Sequence, residues 1–245
     1  MPALGTINSA TNVEDHPPAA YLDTTHSPVA LYDVDGDLVD SSGNGLDMSM
    51  GAGTAYYGPA PVTGNARSIF FQSSRAQRPS SDASLRLHGA LTIEAVVFPS
   101  IVHTTTGILA AYAGGGETEA ENIAYELALL SGNRIRFAQE NGAGVDNLWD
   151  VSLHVPVGQW THLAVTRDVA GTGANLYING ILRASTTLAS APTGGTSSVL
   201  HAGEFINGLA PYTGFMSSLK IIAAELNASQ VLAEANRALP FELRP

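Results

Sequence analysis

The chain has 245 residues, of which 22 are acidic and 11 are basic, so its formal net charge at pH 7 is −11. Only Lys220 is a lysine and no arginine-rich run occurs, which argues against nucleic acid or an anionic membrane as the partner. The absence of cysteine excludes disulfide bonds and thiolate metal sites. Residues 1–20 lack the basic and apolar regions of a secretory signal peptide, so we expect a soluble protein that is not exported by the classical route.

Residues 1–28 contain four prolines, many small polar residues and little hydrophobic periodicity. This composition is typical of an extended arm rather than of a packed element. Two interpretations remain open: a frayed terminus, or an arm that orders against a neighbouring subunit.

From Val29 onward, short apolar segments alternate with glycine, asparagine or proline. Residues 46–50 alternate between apolar and polar side chains, which predicts a strand with one buried face. Residues 124–132 contain good helix formers, but the following SGN turn and the alternating segment 133–141 favour a hairpin. Further strands are predicted at residues 66–74, 91–100, 106–113, 148–155, 159–168, 174–184, 197–205 and 216–226.

One segment near the end of the chain has helical spacing. Asn227 is placed to cap a helix, Gln230 is its reciprocal partner three residues later, and Pro240 ends the pattern. Many short strands and one late helix predict an all-β fold, a two-sheet antiparallel jelly-roll sandwich with one short C-terminal helix. We assign residues 1–28 to an extended arm and residues 29–245 to the sandwich.

Residues 159–185, QWTHLAVTRDVAGTGANLYINGILRAS, predict successive strands. Asn179 and Gly180 both tolerate positive φ and therefore predict a tight turn between the last two. The tryptophan-led strand followed by LYING resembles the laminin-G-like, concanavalin A-like jelly rolls of the pentraxin-type group. The resemblance implies a non-catalytic binding or structural domain.

Three other blocks, in the same order as in that family, extend the resemblance to residues 29–238. They are residues 40–51, residues 91–100 and residues 214–236. Two positions depart from the family pattern. Val96 stands where a tryptophan is usual, and Ser217-Ser218 replaces an acidic pair, which weakens the case for any calcium site that would use it.

Glu117, Glu119 and Glu121 alternate in the segment GGGETEAEN. Retaining glycosidases use two carboxylates about 5 Å apart, and alternate residues of a strand share a face. Here the glutamates lie in a glycine-rich segment instead of an apolar, aromatic strand. We therefore predict that the protein is not an enzyme; hydrolysis that is lost on Glu117→Gln or Glu119→Gln would contradict this.

The stretch from Asp33 to Asn44 contains short oxygen-bearing side chains next to glycines, as calcium loops do. It lacks the twelve-residue spacing and the terminal glutamate of an EF-hand loop. Aspartate and asparagine beside glycine are also ordinary turn formers. The sequence thus predicts a turn, with a structural calcium ion as the alternative and no other cofactor.

The histidines show no closely spaced pair, so a zinc site is not expected. They are His16, His26, His88, His103, His154, His162 and His201. His162 matches a strand position of the family and is predicted to hydrogen bond within the sandwich. No serine occupies a Gly-x-Ser-x-Gly elbow, so the sequence offers no candidate nucleophile for the catalytic triad of such a hydrolase.

Aromatic side chains in predicted loops are candidates for stacking on sugar rings, but packing in the core or at its rim is the favoured interpretation. They are Tyr56, Tyr57, Tyr112, Trp149 and Tyr212. None of them stands out, so the sequence assigns no ligand-binding residue.

Virion proteins of bacteriophages leave the host by lysis and need no export signal. The low content of charged residues, the lack of cysteine and the arm predict such a protein, displayed on the particle surface as a capsid decoration, head-fibre or tail component. Residues 1–28 are then expected to dock on other virion subunits, and the protein to form a homo-oligomer with weak affinity for host glycans. The alternatives are a carbohydrate-binding module of a larger extracellular bacterial enzyme and, less favoured, a glycosidase.

Overall fold

The computed structural model describes residues 26–33, 37–54, 56–61, 67–78, 80–114, 123–141, 146–193, 198–204 and 210–239. These ranges form β-strands and one α-helix. The elements are β1 (Ala30–Asp33), β2 (Ser49–Ala52), β3 (Tyr56–Gly58), β4 (Ser68–Gln72), β5 (Arg75–Gln77), β6 (Leu91–Pro99), β7 (Gly107–Gly114), β8 (Tyr125–Leu129), β9 (Arg134–Glu140), β10 (Asp146–His154), β11 (Thr161–Arg167), β12 (Gly173–Ile178), β13 (Ile181–Thr187), β14 (Ser198–Ala202), β15 (Thr213–Ile222) and α1 (Ala228–Ala238).

The strands form two antiparallel sheets with one hydrophobic core between them. Sheet I has the strand order β13-β12-β11-β6-β15-β4-β3, and β1 also pairs with β15. Sheet II has the order β10-β9-β8-β7-β14-β5-β2. This arrangement, with one helix near the C-terminus, confirms the predicted jelly-roll sandwich.

Alternation along each strand decides which side chains enter the core. In β6, Ile93, Ala95 and Val97 are fully buried in the cluster between the sheets. Because successive side chains of a strand point to opposite faces, Glu94 and Val96 lie on the side of sheet I that faces away from sheet II. We call this side the outer face of sheet I.

The turn between β12 and β13 has the predicted geometry. Asn179 and Gly180 have φ angles of 52° and 80°. The Asn179 side chain also accepts a hydrogen bond from the backbone N–H of His162, at 3.0 Å. A Cβ at Gly180 would lie 2.9 Å from Leu232 of α1, so any larger residue here would also clash with the helix.

Helix α1 begins as predicted. The Asn227 side chain accepts hydrogen bonds from the backbone N–H groups of Ser229 and Gln230, and the Gln230 side chain accepts one from the backbone N–H of Asn227. This capping box satisfies N–H groups that would otherwise lack partners at the first turn. The helix packs its apolar side against Ala164, Tyr177 and other residues on the outer face of sheet I.

Most predicted strands are confirmed, with shifted ends. The alternation at residues 46–50 is real, since Leu46 and Met48 are buried and Asp47 is exposed, but the paired strand β2 begins only at Ser49. Residues 125–129 form a strand and not a helix, as the hairpin interpretation required. Within the described ranges, no helix has the length and apolar character needed to cross a membrane.

Candidate functional site

Five aromatic side chains form a continuous row across five neighbouring strands of sheet I. Tyr56 of β3 is opposite Phe70 of β4, Phe70 is opposite Phe215 of β15, and Phe215 is opposite Phe98 of β6. Trp160 directly precedes β11 and continues the row past Phe98. We call these five residues the aromatic row.

The aromatic row lies on the outer face. Its neighbours along the strands, including Ile69, Phe71, Val97 and Met216, are buried in the core between the sheets. Because successive side chains of a strand point to opposite faces, the row residues point away from the core. All five are partly exposed.

Four of the five rings, from Phe70 to Trp160, contact one another in sequence. The centroid of Phe70 lies 4.7 Å from that of Phe215, Phe215 lies 5.9 Å from Phe98, and Phe98 lies 5.4 Å from Trp160. Their planes are inclined by 48°, 75° and 57° respectively. Such pairs each contribute about 0.5–1.5 kcal/mol beyond the burial of their area, so these four rings stabilise one another's positions.

Gly58 makes room for the central ring. A Cβ at this position of β3 would lie 2.3 Å from Cε1 of Phe215. Real side-chain atoms do not approach so closely, so any larger residue here requires Phe215 to move. The glycine at the end of β3 is thus part of what positions the row.

A row of uncharged polar residues runs beside the aromatic row on the same face. Gln72 of β4 is paired with Thr213 of β15, and the backbone N–H of Ser100 donates to the carbonyl oxygen of Thr213 at 3.1 Å. Each follows or precedes an aromatic-row residue by two positions, and therefore shares its face. Gln72 is exposed, and the other two are partly exposed. We call these three residues the polar row.

A buried charged cluster occupies the other end of the outer face, beneath α1. Lys220 Nζ lies 2.6 Å from Glu234 Oε2 and 3.5 Å from Glu94 Oε2, and His162 Nε2 lies 3.7 Å from Glu94 Oε1. All four residues are buried. The cluster joins helix to sheet and is closed to a ligand.

The surroundings set the protonation of this cluster. Burial raises the pKa of Glu94 to about 7, although Lys220 opposes the shift. Burial lowers the pKa of His162 to about 3, and the positive charge of Lys220 acts in the same direction. For Lys220, burial lowers the pKa, but Glu94 and Glu234 more than offset this and raise it above its ordinary value.

Residues 72–232, more than half of the chain, match the Concanavalin A-like lectin/glucanases superfamily (Laminin_G_3). The chain belongs to this family. The match includes three of the five aromatic-row residues, Phe98, Trp160 and Phe215. Tyr56 and Phe70 lie before it.

Solved structures share the concanavalin A-like fold. One is domain 4 of AbnA, a GH43 extracellular arabinanase from Geobacillus stearothermophilus, in complex with arabinotriose; it has a TM-score of 0.63 and 21% identity, over 86% of this chain and 98% of the other. The binding domain of Paraclostridial Mosquitocidal Protein 1 has a TM-score of 0.66 and 16% identity, over 86% of this chain and 52% of the other. The botulinum neurotoxin serotype D binding domain has a TM-score of 0.63 and 13% identity, over 86% of this chain and 51% of the other. No curated protein matches the chain.

Of the aromatic residues that the sequence suggested for this concanavalin A-like domain, only Tyr56 belongs to the aromatic row. Tyr112 of β7 and Tyr212, which directly precedes β15, are buried in the core, as the packing interpretation expected. Tyr57 and Trp149 are partly buried and pack against the same core. The four phenylalanine and tryptophan residues of the row were missed because they come from segments that are distant in the sequence and become neighbours only in the folded sheet.

The proposed calcium stretch contains a turn built around Asp40. Its carboxylate accepts hydrogen bonds from the backbone N–H groups of Leu31, Ser42 and Leu46 and from the Ser42 hydroxyl. These donors occupy both carboxylate oxygens, which fits the turn interpretation. Residues 34–36 of the stretch lie outside the described ranges, and within those ranges no group of three acidic or histidine side chains could hold a metal ion.

Two buried histidines of the described part, His162 and His103, serve packing. His162 is buried as its strand position suggested, but its ring does not make the predicted hydrogen bond, because Glu94 remains 3.7 Å away. His103 stacks on Tyr212 and accepts from the backbone N–H of Thr213 through Nε2. The glutamates Glu117, Glu119 and Glu121 lie outside the described residues.

Proposed function

We propose that this chain is a non-catalytic carbohydrate-binding domain whose binding surface is the aromatic row together with the polar row. One observation carries the proposal: five aromatic rings from five neighbouring strands lie on one outward face, beside an uncharged row of amide and hydroxyl groups.

The chemistry of the two rows is complementary to a sugar. The C–H face of a sugar ring is apolar and stacks on an aromatic side chain, whose burial then contributes much of the binding energy. The sugar hydroxyls need partners that both donate and accept, which Gln72, Thr213 and Ser100 can do. Neither row includes a carboxylate that could act as a catalytic acid or nucleophile.

The family and its neighbours support the same role. The domain of AbnA was solved with arabinotriose bound, and two other neighbours are binding domains of toxins. At identities of 21% or less, these structures establish the shared fold; the ligand of this chain is assigned from its own aromatic and polar rows.

The test is a glycan array followed by titration calorimetry with the best neutral glycan and with arabinotriose. We expect Trp160→Ala and Phe98→Ala each to weaken binding at least about fivefold, since a nucleobase stacked on one aromatic side chain is worth about 1–3 kcal/mol and a sugar ring offers a contact of similar size. Leu148→Ala is the matched control, because Leu148 is 50% exposed on sheet II, away from both rows. Affinity that survives loss of Trp160 and Phe98 together, in folded protein, would rule out this surface.

The setting of the domain is a separate proposal. The composition and residues 1–28 favour display on a bacteriophage particle, with the arm docked on other virion subunits. The alternative, a module of a larger extracellular enzyme, has the AbnA domain as its parallel. Light scattering with and without residues 1–28 tests the arm: a defined oligomer that becomes a monomer on truncation supports the virion setting, whereas a monomer in both forms removes the support for a homo-oligomer.

A further inference from the structure

We propose that the aromatic row takes an internal stretch of about four residues from a single, uncharged polysaccharide chain. This inference rests on the proposed function and adds the length, charge and form of the ligand. It follows from three features of the row: its span, its open ends and the inclination of its rings.

The span gives the number of sugar residues. The row crosses five adjacent strands, from Tyr56 on β3 to Trp160 before β11. Neighbouring strands are about 4.8 Å apart, so the row is about 19 Å long. A sugar residue in an extended chain advances by a similar distance to one strand spacing. A chain that lies across the strands therefore places about four residues on the row.

The ends of the row are not closed by any described strand. Tyr56 lies on β3, which is the last strand of sheet I on that side. At the other end, pairing of β11 with β12 starts only at Leu163 and Ile178, so no described strand lies beside Trp160 on its far side. A chain can therefore continue past both ends, and a free sugar terminus is not required.

The inclination of the rings selects the form of the ligand. Successive planes from Phe70 to Trp160 differ by 48°, 75° and 57°, so the rings do not make one flat platform. The right-handed twist of a sheet also rotates each strand relative to the next by about 20–25°. A single chain can follow such a surface by twisting, whereas the flat face of a crystalline polysaccharide cannot.

The charge of the rows selects against uronic acids. Both rows consist of uncharged residues, and Lys220 on the same face is buried and paired with Glu94 and Glu234. A polyuronate would place carboxylates on the row with no arginine or lysine within either row to receive them. The chain itself has a net charge of −11, which repels such a polymer further.

The experiment measures affinity against chain length. The probes are linear arabino-, xylo- and cello-oligosaccharides of one to six residues, their end-reduced alditols, microcrystalline cellulose and polygalacturonate. For the series that binds, we expect affinity to rise at least tenfold from two residues to four and to change less than twofold from four to six. Reduction of the terminal sugar of the hexamer should have no effect, and neither cellulose crystals nor polygalacturonate should bind.

Variants make the length test specific to the row. Trp160→Ala and Tyr56→Ala each remove the ring at one end of the row, so the affinity should stop rising at about three sugar residues instead of four. Phe215→Ala removes the central ring and should weaken binding of oligosaccharides of every length. Leu148→Ala should leave the curve unchanged. Binding of monosaccharides as tight as of tetramers, or loss of binding on end reduction, would overturn this inference while the proposed function stands. Binding of no neutral glycan would overturn both.

Discussion

The Cβ that alanine would add at residue 58 falls 2.3 Å from Cε1 of Phe215, so the backbone of an edge strand and the central ring of the aromatic row occupy adjoining space. We predict that Gly58→Ala displaces the ring, lowers the free energy of unfolding by about 1–3 kcal/mol and weakens glycan binding. Urea unfolding and calorimetric titration measure the two effects.

A double-mutant cycle isolates the cause. In a Phe215→Ala background the ring is absent, so the added methyl of Gly58→Ala should cost no more than a few tenths of a kcal/mol. An equal cost in both backgrounds would show that the strain arises in the backbone of β3 and not at the ring.

The local features of this fold were predictable from sequence because few residues determine each of them. The Asn179-Gly180 turn requires two residues with positive φ, and the Asn227-Gln230 box requires two polar side chains three positions apart. Both were found because the partners are neighbours in the chain.

The aromatic row could not be predicted in the same way. Phe70 and Phe215 become neighbours only because β15 inserts between β4 and β6, an order that no local pattern specifies. The burial of Tyr112 and Tyr212 likewise depends on the packing of the two sheets, which no residue next to them specifies.

Acid should destabilise the protein through His162. Its folded pKa of about 3 is below the value of 6.5 in the unfolded chain, so the unfolded state binds the extra proton first. The stability that this group contributes is complete above pH 6.5. It is lost as the pH falls toward 3, by at most about 1.4 kcal/mol for each pH unit. The His162→Gln variant should show a shallower loss in chemical unfolding over this range, and the same slope as wild type above pH 6.5 provides the internal control.

Glu94 should act in the opposite direction. Its folded pKa of about 7 lies above the ordinary 4.5, so the native state holds the proton more tightly. Stability from this group is present below pH 4.5 and is lost as the pH rises through 7. Glu94→Gln should therefore remove the decline in the free energy of unfolding between pH 4.5 and 7. The loss of stability that protonation of His162 causes should then be seen in full. A variant whose pH profile parallels that of wild type would contradict the assignment.

The ion pair between Lys220 and Glu234 should be the costly one to break. Lys220→Met leaves two carboxylates beneath α1 without this cation, and we expect a loss of about 3–5 kcal/mol at pH 8. Arg237→Met is the matched control: its side chain is 42% exposed and bonds the same Glu234 at 2.7 Å, so its loss should cost less than about 1 kcal/mol. Equal losses in urea unfolding would mean that exposure does not distinguish the two cations.

The five row residues come from positions 56, 70, 98, 160 and 215, a spread that covers most of the described chain. No short peptide can reproduce their arrangement, because it exists only when sheet I is fully assembled. A ligand on the row therefore binds the native state alone and must raise the melting temperature as its concentration increases. A thermal-shift assay therefore detects glycan binding without a label, and binding in turn shows that sheet I has formed.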